Sequence, residues 1–239
     1  TASDDLDERH SCSLLLGNGL SSGDIVDENA LSKQLEQSND DEKIEALQHI
    51  IQYILQGHHF PLLLMSVIKF CLHSTNHTVK KLLYLYWEVV QKTNEHGELL
   101  PEMILVCNAM KKDLQHPNEY VKGSTLRFLC KMKEREILES LIPHIIANLE
   151  HRHSYVRKNA VLTIFTIYET FSDMIEDAPD LIYNFLETEA NPSAKRNAFL
   201  MLYHCDQDRA VIYLDTVLNT IGSTGEAFQL VALDLIRRV

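Results

Sequence analysis

Four stretches of the chain align without gaps: residues 76–90 (NHTVKKLLYLYWEVV), 118–132 (NEYVKGSTLRFLCKM), 153–167 (HSYVRKNAVLTIFTI) and 191–205 (NPSAKRNAFLMLYHC). Asn76, Asn118 and Asn191 open three of them with a side chain that can accept the orphan N–H groups of a first helical turn, and His153, with Ser154 beside it, opens the fourth. Three residues on comes an apolar anchor (Val79, Val121, Val156, Ala194), followed at once by a cation (Lys80, Lys122, Arg157, Lys195). Four past the anchor stands a small or slim residue (Thr125, Ala160, Ala198, with Leu83 the exception), and eight past it a large apolar one (Trp87, Leu129, Ile164, Leu202). The anchors lie 42, 35 and 38 residues apart. A small residue at mid-helix lets a neighbouring helix approach closely, and a first-turn cation can reach an acidic or carbonyl partner on the adjoining repeat.

This spacing leaves room for one further helix between successive copies. The intervening segments 61–72, 98–114, 134–149, 178–186 and 207–221 carry apolar residues at the helical period, and no alternation long enough for a sheet occurs beyond residue 40. Pro61, Pro101, Pro117, Pro179 and Pro192 stand at or near the expected helix starts, where a missing N–H costs little. Pro143 is expected to split residues 134–150 into a short helix and a longer one. Residues 225–239 read as a weaker fifth copy and 41–55 as a degenerate first. One helix pair per repeat of this length predicts an all-α chain, a right-handed α-solenoid of HEAT/ARM-like helical hairpins over residues 31–239. An acidic, mostly extended arm is expected over residues 1–30.

Charge supports that division. The formal net charge is −12, of which −9 falls in residues 1–42 and 0 in 43–110; residues 111–158 carry +4 and residues 159–239 carry −7. Acidity argues against a general nucleic-acid binder, but the repeats from residue 43 on are only −3, with a mildly basic centre. Those central cations could give a patch for an acidic protein or anionic lipid headgroups, but half of them are interleaved with Asp113, Glu119, Glu134, Glu136, Glu139 and Glu150, as on a solvated helical face, the reading that is favoured. The five cysteines are scattered and never form a CxxC pair, which reads as a reducing, cytosolic setting rather than a disulfide framework or zinc ribbon. Lys69 interrupts the best apolar run, well short of the roughly 20 residues of a bilayer span. Acidic residues stand where the positive start of a signal peptide would be. The chain lacks an initiator Met and stops within a helical pattern, and is expected to be part of a longer one.

Constellations for chemistry are weak. His151 and His153 have the alternate spacing that two ligands of one metal ion can use, and His58-His59 is the next such pair. Neither has a Cys or third ligand nearby, so both read as polar turn residues at helix ends. Cys71 near His73, and Cys205 beside His204, continue helical runs and read as core. No GxxxxGK[ST] or GxGxxG occurs. The reading is of a chain that is not an enzyme and takes no metal or cofactor. Within residues 98–114, Leu99, Met103, Val106, Met110 and Leu114 form one apolar stripe; Leu100, Ile104, Cys107 and Lys111 form a second, about 100° away. The first is expected to bury against the following helix, and the second either packs on the next repeat or stays open to a partner, packing being favoured.

The strings LQHPNEY, GSTLRFLCK and LEHRHSYVRKNA, with KKLLYLY and DAPDLIYNFL, resemble the β-subunit family of coatomer, the COPI vesicle coat, continuously from about residue 47 to 239 and more loosely from Cys12. Related β-type adaptins of clathrin adaptors share the KKLLYLY-like stretch. The resemblance implies a non-enzymatic coat subunit, cytosolic until a GTP-loaded Arf-family GTPase recruits it to Golgi membranes, joined to other coatomer subunits, notably δ. It would serve Golgi-to-endoplasmic-reticulum and intra-Golgi vesicle transport. The resemblance further implies that the GTPase docks on the helix of residues 98–114, at Ile104 and Cys107 with Lys111 on the rim. The repeat alone would equally permit a HEAT-type scaffold or adaptor of another pathway, such as a clathrin-adaptor β-type subunit or a transport receptor.

Overall fold

Asn76, Asn118 and Asn191 accept N–H groups from the first turn of the helix that follows each, Asn76 Oδ1 from Thr78 at 2.8 Å and Asn118 Oδ1 from Tyr120 at 2.8 Å. His153 does the same through Nδ1, from Tyr155 N–H at 3.2 Å. The repeat frame therefore sets where these helices begin. The computed structural model describes residues 27–37 and 39–238, which form two compact units, one ending at Val89 and one starting at Val90.

The described part of the first unit comprises α1 (Glu28–Glu36), α2 (Asp40–Leu55), α3 (Pro61–Cys71) and α4 (His77–Val89). Helix α1 packs on α2 and α3, and α2 on α4. Leu35, Leu47, Ile50, Leu63, Val67 and Val79 are wholly buried between them, and Tyr86 meets Trp87 edge to face with ring centroids 5.0 Å apart. Polar ties cross the layers: Ser32 Oγ to Ser66 Oγ at 2.8 Å, Lys43 Nζ to the Phe70 carbonyl at 3.2 Å, and Asn76 Nδ2 to Asp40 Oδ2 at 3.0 Å. Most of the arm expected over residues 1–30 lies outside the described residues. Its last three residues are helical, because Asp27 accepts the Asn29 N–H at 3.0 Å and starts α1 at Glu28.

The second unit comprises α5 (Met103–Leu114), α6 (Glu119–Leu129), α7 (Arg135–Ala147), α8 (Ser154–Thr170), α9 (Ala178–Thr188), α10 (Pro192–Cys205), α11 (Gln207–Val217) and α12 (Glu226–Arg238). Helices α6, α8, α10 and α12 pack side by side as one row; α5 packs on α6 and α7, and α9 and α11 on α10. The slim positions of the repeat, Thr125, Ala160 and Ala198, are all wholly buried, as close approach within the row requires. Of the anchors, Val79, Val156 and Ala194 are buried and Val121 is half-buried. This is the all-α, solenoid-type stacking expected; among the described residues the only β feature is an isolated antiparallel bridge between Thr93 and Leu99.

Neighbouring repeats are joined by side chains that reach a carbonyl or hydroxyl one repeat away. Thr163 Oγ1 donates to the Leu126 carbonyl at 2.9 Å, Asn148 Nδ2 to Leu114 at 3.3 Å and Asn197 Nδ2 to Lys158 at 3.3 Å. The first-turn cation Arg157 meets the Glu189 carboxylate through two bonds, Nε to Oε2 at 2.6 Å and Nη2 to Oε1 at 2.8 Å, and its Nη1 also donates to the His151 and Arg152 carbonyls. Glu189 in turn accepts the Asn191 N–H at 2.7 Å. One guanidinium thus links the turn before α8 to the start of α10.

Two expectations are corrected. Residues 134–150 are not split at Pro143: α7 runs through it and closes in a 3-10 turn, Asn148–Glu150. Pro143 and Glu139 both lie on the exposed face, so the carbonyl that loses its helical partner faces solvent, while Ile137, Leu138, Leu141 and Ile145 bury the opposite face and hold the helix together. Residues 98–102 are not helical either, and the reason shapes the surface described next.

Candidate partner-binding surface

Helix α5 starts late because the segment before it folds back on itself. Asn94 Oδ1 accepts the N–H groups of His96 and Glu98, both at 2.9 Å, and Gly97 takes φ +81°, a left-handed conformation that a side chain would strain. The return limb is fixed by Asn94 N–H to the Glu98 carbonyl at 2.8 Å and Leu100 N–H to the Lys92 carbonyl at 2.9 Å. The limb is held to the next repeat by Lys92, whose ammonium lies 3.0 Å from Glu134 with both side chains largely buried. Pro101, which cannot donate to this ladder, then opens the turn into Met103.

On α5 the first stripe behaves as expected from Met103 on: Met103, Val106, Met110 and Leu114 are buried. Leu99 belongs to the bridge instead. The second stripe divides. Ile104 is 60% exposed, whereas Cys107 is only 9% exposed and its Sγ lies 2.8 Å from Ser140 Oγ on α7. Lys111 is half-buried. The residue that shares the open surface with Ile104 is Leu105, 48% exposed, with Asn108 and Lys112 one and two turns further along the same face. Ile104 and Lys111 therefore flank a position that α7 has covered, and sequence reasoning missed Leu105. The available signal was that Leu105, Asn108 and Lys112 follow the 3, 4 helical spacing on the side opposite Val106 and Met110.

Titratable groups elsewhere have structural settings. Cys71 is wholly buried and burial pushes its thiol up to about 11; Cys205, half-buried near Glu169 and Asp206, is pushed up to about 12. Such thiols stay protonated and are poor nucleophiles at neutral pH. His151 Nδ1 accepts the His153 N–H at 3.1 Å, so both histidines are occupied in shaping the start of α8, the capping role expected of them. No group of three His, Cys, Asp or Glu side chains converges to hold a metal ion among the described residues, nor is any helix there long and apolar enough to cross a membrane. Within the basic middle, Arg135 pairs with Asp173 and Arg157 with Glu189, acids that lie further along the chain than those interleaved with the cations in sequence.

The family profile of the adaptin N-terminal region matches residues 25–239, nearly the whole chain. The chain belongs to this family. Among relatives of this adaptin-type chain, coatomer subunit beta of Drosophila melanogaster is 52% identical over 216 residues, 90% of this chain and 22% of the relative. Coatomer subunit beta of Pongo abelii is 56% identical over 207 residues (87% and 22%), and that of Saccharomyces cerevisiae 45% over 206 (86% and 21%). The chain thus spans about a fifth of the length of these curated relatives. In fold it is similar to a homology model of the full-length AP-3 complex, with TM-score 0.65 at 16% identity, covering 83% of this chain and 34% of that one. It is also similar to a designed armadillo repeat protein in complex with a (KR)4 peptide, with TM-score 0.56 at 15% identity over 89% and 99% of the two chains.

Proposed function

We propose that this adaptin-type chain is structural trunk of a coatomer β subunit, a non-enzymatic part of the COPI coat that works in Golgi-to-endoplasmic-reticulum and intra-Golgi vesicle transport. The observation that carries the reading is the 45–56% identity to coatomer β subunits over more than four-fifths of the chain. Shared solenoid fold alone would suit many scaffolds; identity at that level reaches into the exposed residues as well as the core. The partners in this reading are the other coatomer subunits, notably δ, and a GTP-bound Arf-family GTPase that brings the coat to the Golgi membrane. Recovery of the remaining coatomer subunits from cytosol on the immobilised chain is the expected result. Recovery of clathrin-adaptor subunits in their place would assign it to the other pathway.

The GTPase is assigned to the exposed face of α5. Ile104 supplies the apolar contact and Lys111 the rim charge, while Cys107, held against Ser140, supports the helix from beneath; Leu105 widens the apolar patch. Substituting Ile104→Asp is expected to abolish binding to GTP-loaded Arf in a pull-down while shifting the melting temperature by no more than about 2 °C, since surface substitutions cost within ~0.5 kcal/mol. A collapse in stability, or unchanged binding, would remove α5 from the interface.

A further inference from the structure

Helices α6, α8, α10 and α12 leave a groove along their row, of about 590 Å³, and three cations line it: Arg127 from α6, Lys158 from α8 and Arg196 from α10. Its other charged lining residue is Glu226, at the α12 end. Several cations elsewhere in the unit are neutralised, Lys92 by Glu134, Arg135 by Asp173, Arg157 by Glu189 and Arg209 by Asp180 and Asp206. The groove cations are different. Lys158 lies with its ammonium 5.5 Å from the Tyr155 ring centroid, Arg196 donates to the neutral Asn197 amide at 3.0 Å, and none of the three has a carboxylate within ion-pairing distance among the described residues. Lys158 and Arg196 occupy equivalent places in their repeats, one past the first-turn cation. The same place in the preceding repeat is Gly123, and there the Tyr155 ring lies against the α6 backbone, where a Cβ would come within 2.7 Å of its Cδ1. Tyr155 also lines the groove, so an aromatic ring and the three cations share it.

We propose that this groove binds an extended acidic peptide segment of a partner protein. Charge complementarity is the first reason: three unneutralised cations against one carboxylate favour an anionic occupant, and the low-dielectric concavity strengthens each contact. Spacing is the second. Adjacent helices of a row stand ~10 Å apart, which a chain in the extended polyproline II conformation covers in about three residues, one full turn, so acidic side chains at every third position share a face and match one cation per repeat. Recess is the third. Lys158 and Arg196 are half-buried beside a tyrosine, a placement that suits a single strand lying in the groove better than a flat membrane surface.

The probe is a fluorescein-labelled peptide of four Asp-Ser-Gly triplets, with the matching Asn-Ser-Gly peptide as control, titrated against the full chain by fluorescence anisotropy. The expected result is saturable binding of the Asp peptide only, weakened by added salt. It should fall by at least about tenfold in Lys158→Glu/Arg196→Glu, and be unchanged in Lys133→Glu, an exposed cation outside the groove. Should the reversal variant lose its helical circular dichroism, Lys158→Gln/Arg196→Gln takes its place, with the same direction of change. Absence of binding to the wild-type chain, or equal binding by the groove variants, overturns the proposal. So does the finding that vesicles containing phosphatidylinositol phosphate, and not the peptide, bind in a Lys158- and Arg196-dependent way.

Discussion

Gly123 and Tyr155 illustrate how a single position can reverse an ordinary rule. Replacing a helical glycine by alanine usually stabilises by about 1 kcal/mol. At Gly123 the added methyl would meet the Tyr155 ring, so Gly123→Ala is expected to give no gain or a loss in urea unfolding, and the usual gain should return in a Tyr155→Ala background. The Arg157–Glu189 pair carries a pH dependence. Burial of Glu189 works against its ionisation, but the Arg157 guanidinium and the Asn191 N–H outweigh it and bring the carboxyl below its ordinary range. A carboxyl lowered on folding stabilises fully above its unfolded value and loses that contribution as pH falls through the folded one. Glu189→Gln is therefore expected to cost about 2–4 kcal/mol at pH 7, and less as the pH is lowered below about 4.5, measured by chemical unfolding across that range. For Cys71 and Cys205 the raised thiols predict negligible labelling by iodoacetamide at pH 8 in the native state and full labelling in urea.

Helix starts and helix interiors were unequally legible. Every start marked by a cap in the repeat frame is where the structure puts it, because the cap chemistry is local: Asn118 and Asn191 need only the next three residues to act. The start of α5 was placed five residues early, because apolar Leu99 and Leu100 keep the helical period while Gly97 and Asn94 impose a turn that overrides it. Pro143 was misread in the opposite direction. A proline's local penalty is visible in sequence, but the burial of Ile137, Leu138, Leu141 and Ile145 that opposes it depends on what α7 packs against. Pro143→Ala should restore the missing bond to Glu139 and raise stability by about 1–2 kcal/mol, less than the full interior penalty because the Glu139 carbonyl is already solvated. Likewise the sequence placed Ile104 and Cys107 on one stripe. Only the position of Ser140 on α7 determines that one is open and the other covered.

Across the whole chain, the division of charge had already separated an acidic head from near-neutral repeats, whereas the boundary between compact units at Val89 had no signature in composition. Trp87 is the chain's single tryptophan and lies 2% exposed in α4, so its fluorescence reports the first unit alone, while far-ultraviolet circular dichroism averages over every helix. Each unit has its own core, and the two signals are expected to give different urea midpoints; superimposable curves would mean one cooperative transition. The contacts that tie α6, α8 and α10 together, from Thr163 to Leu126 and from Asn197 to Lys158, each reach one repeat and no further. Under tension such a row has no long staple to rupture first. It would lengthen as a spring does, each hairpin taking a share of the strain and giving way singly.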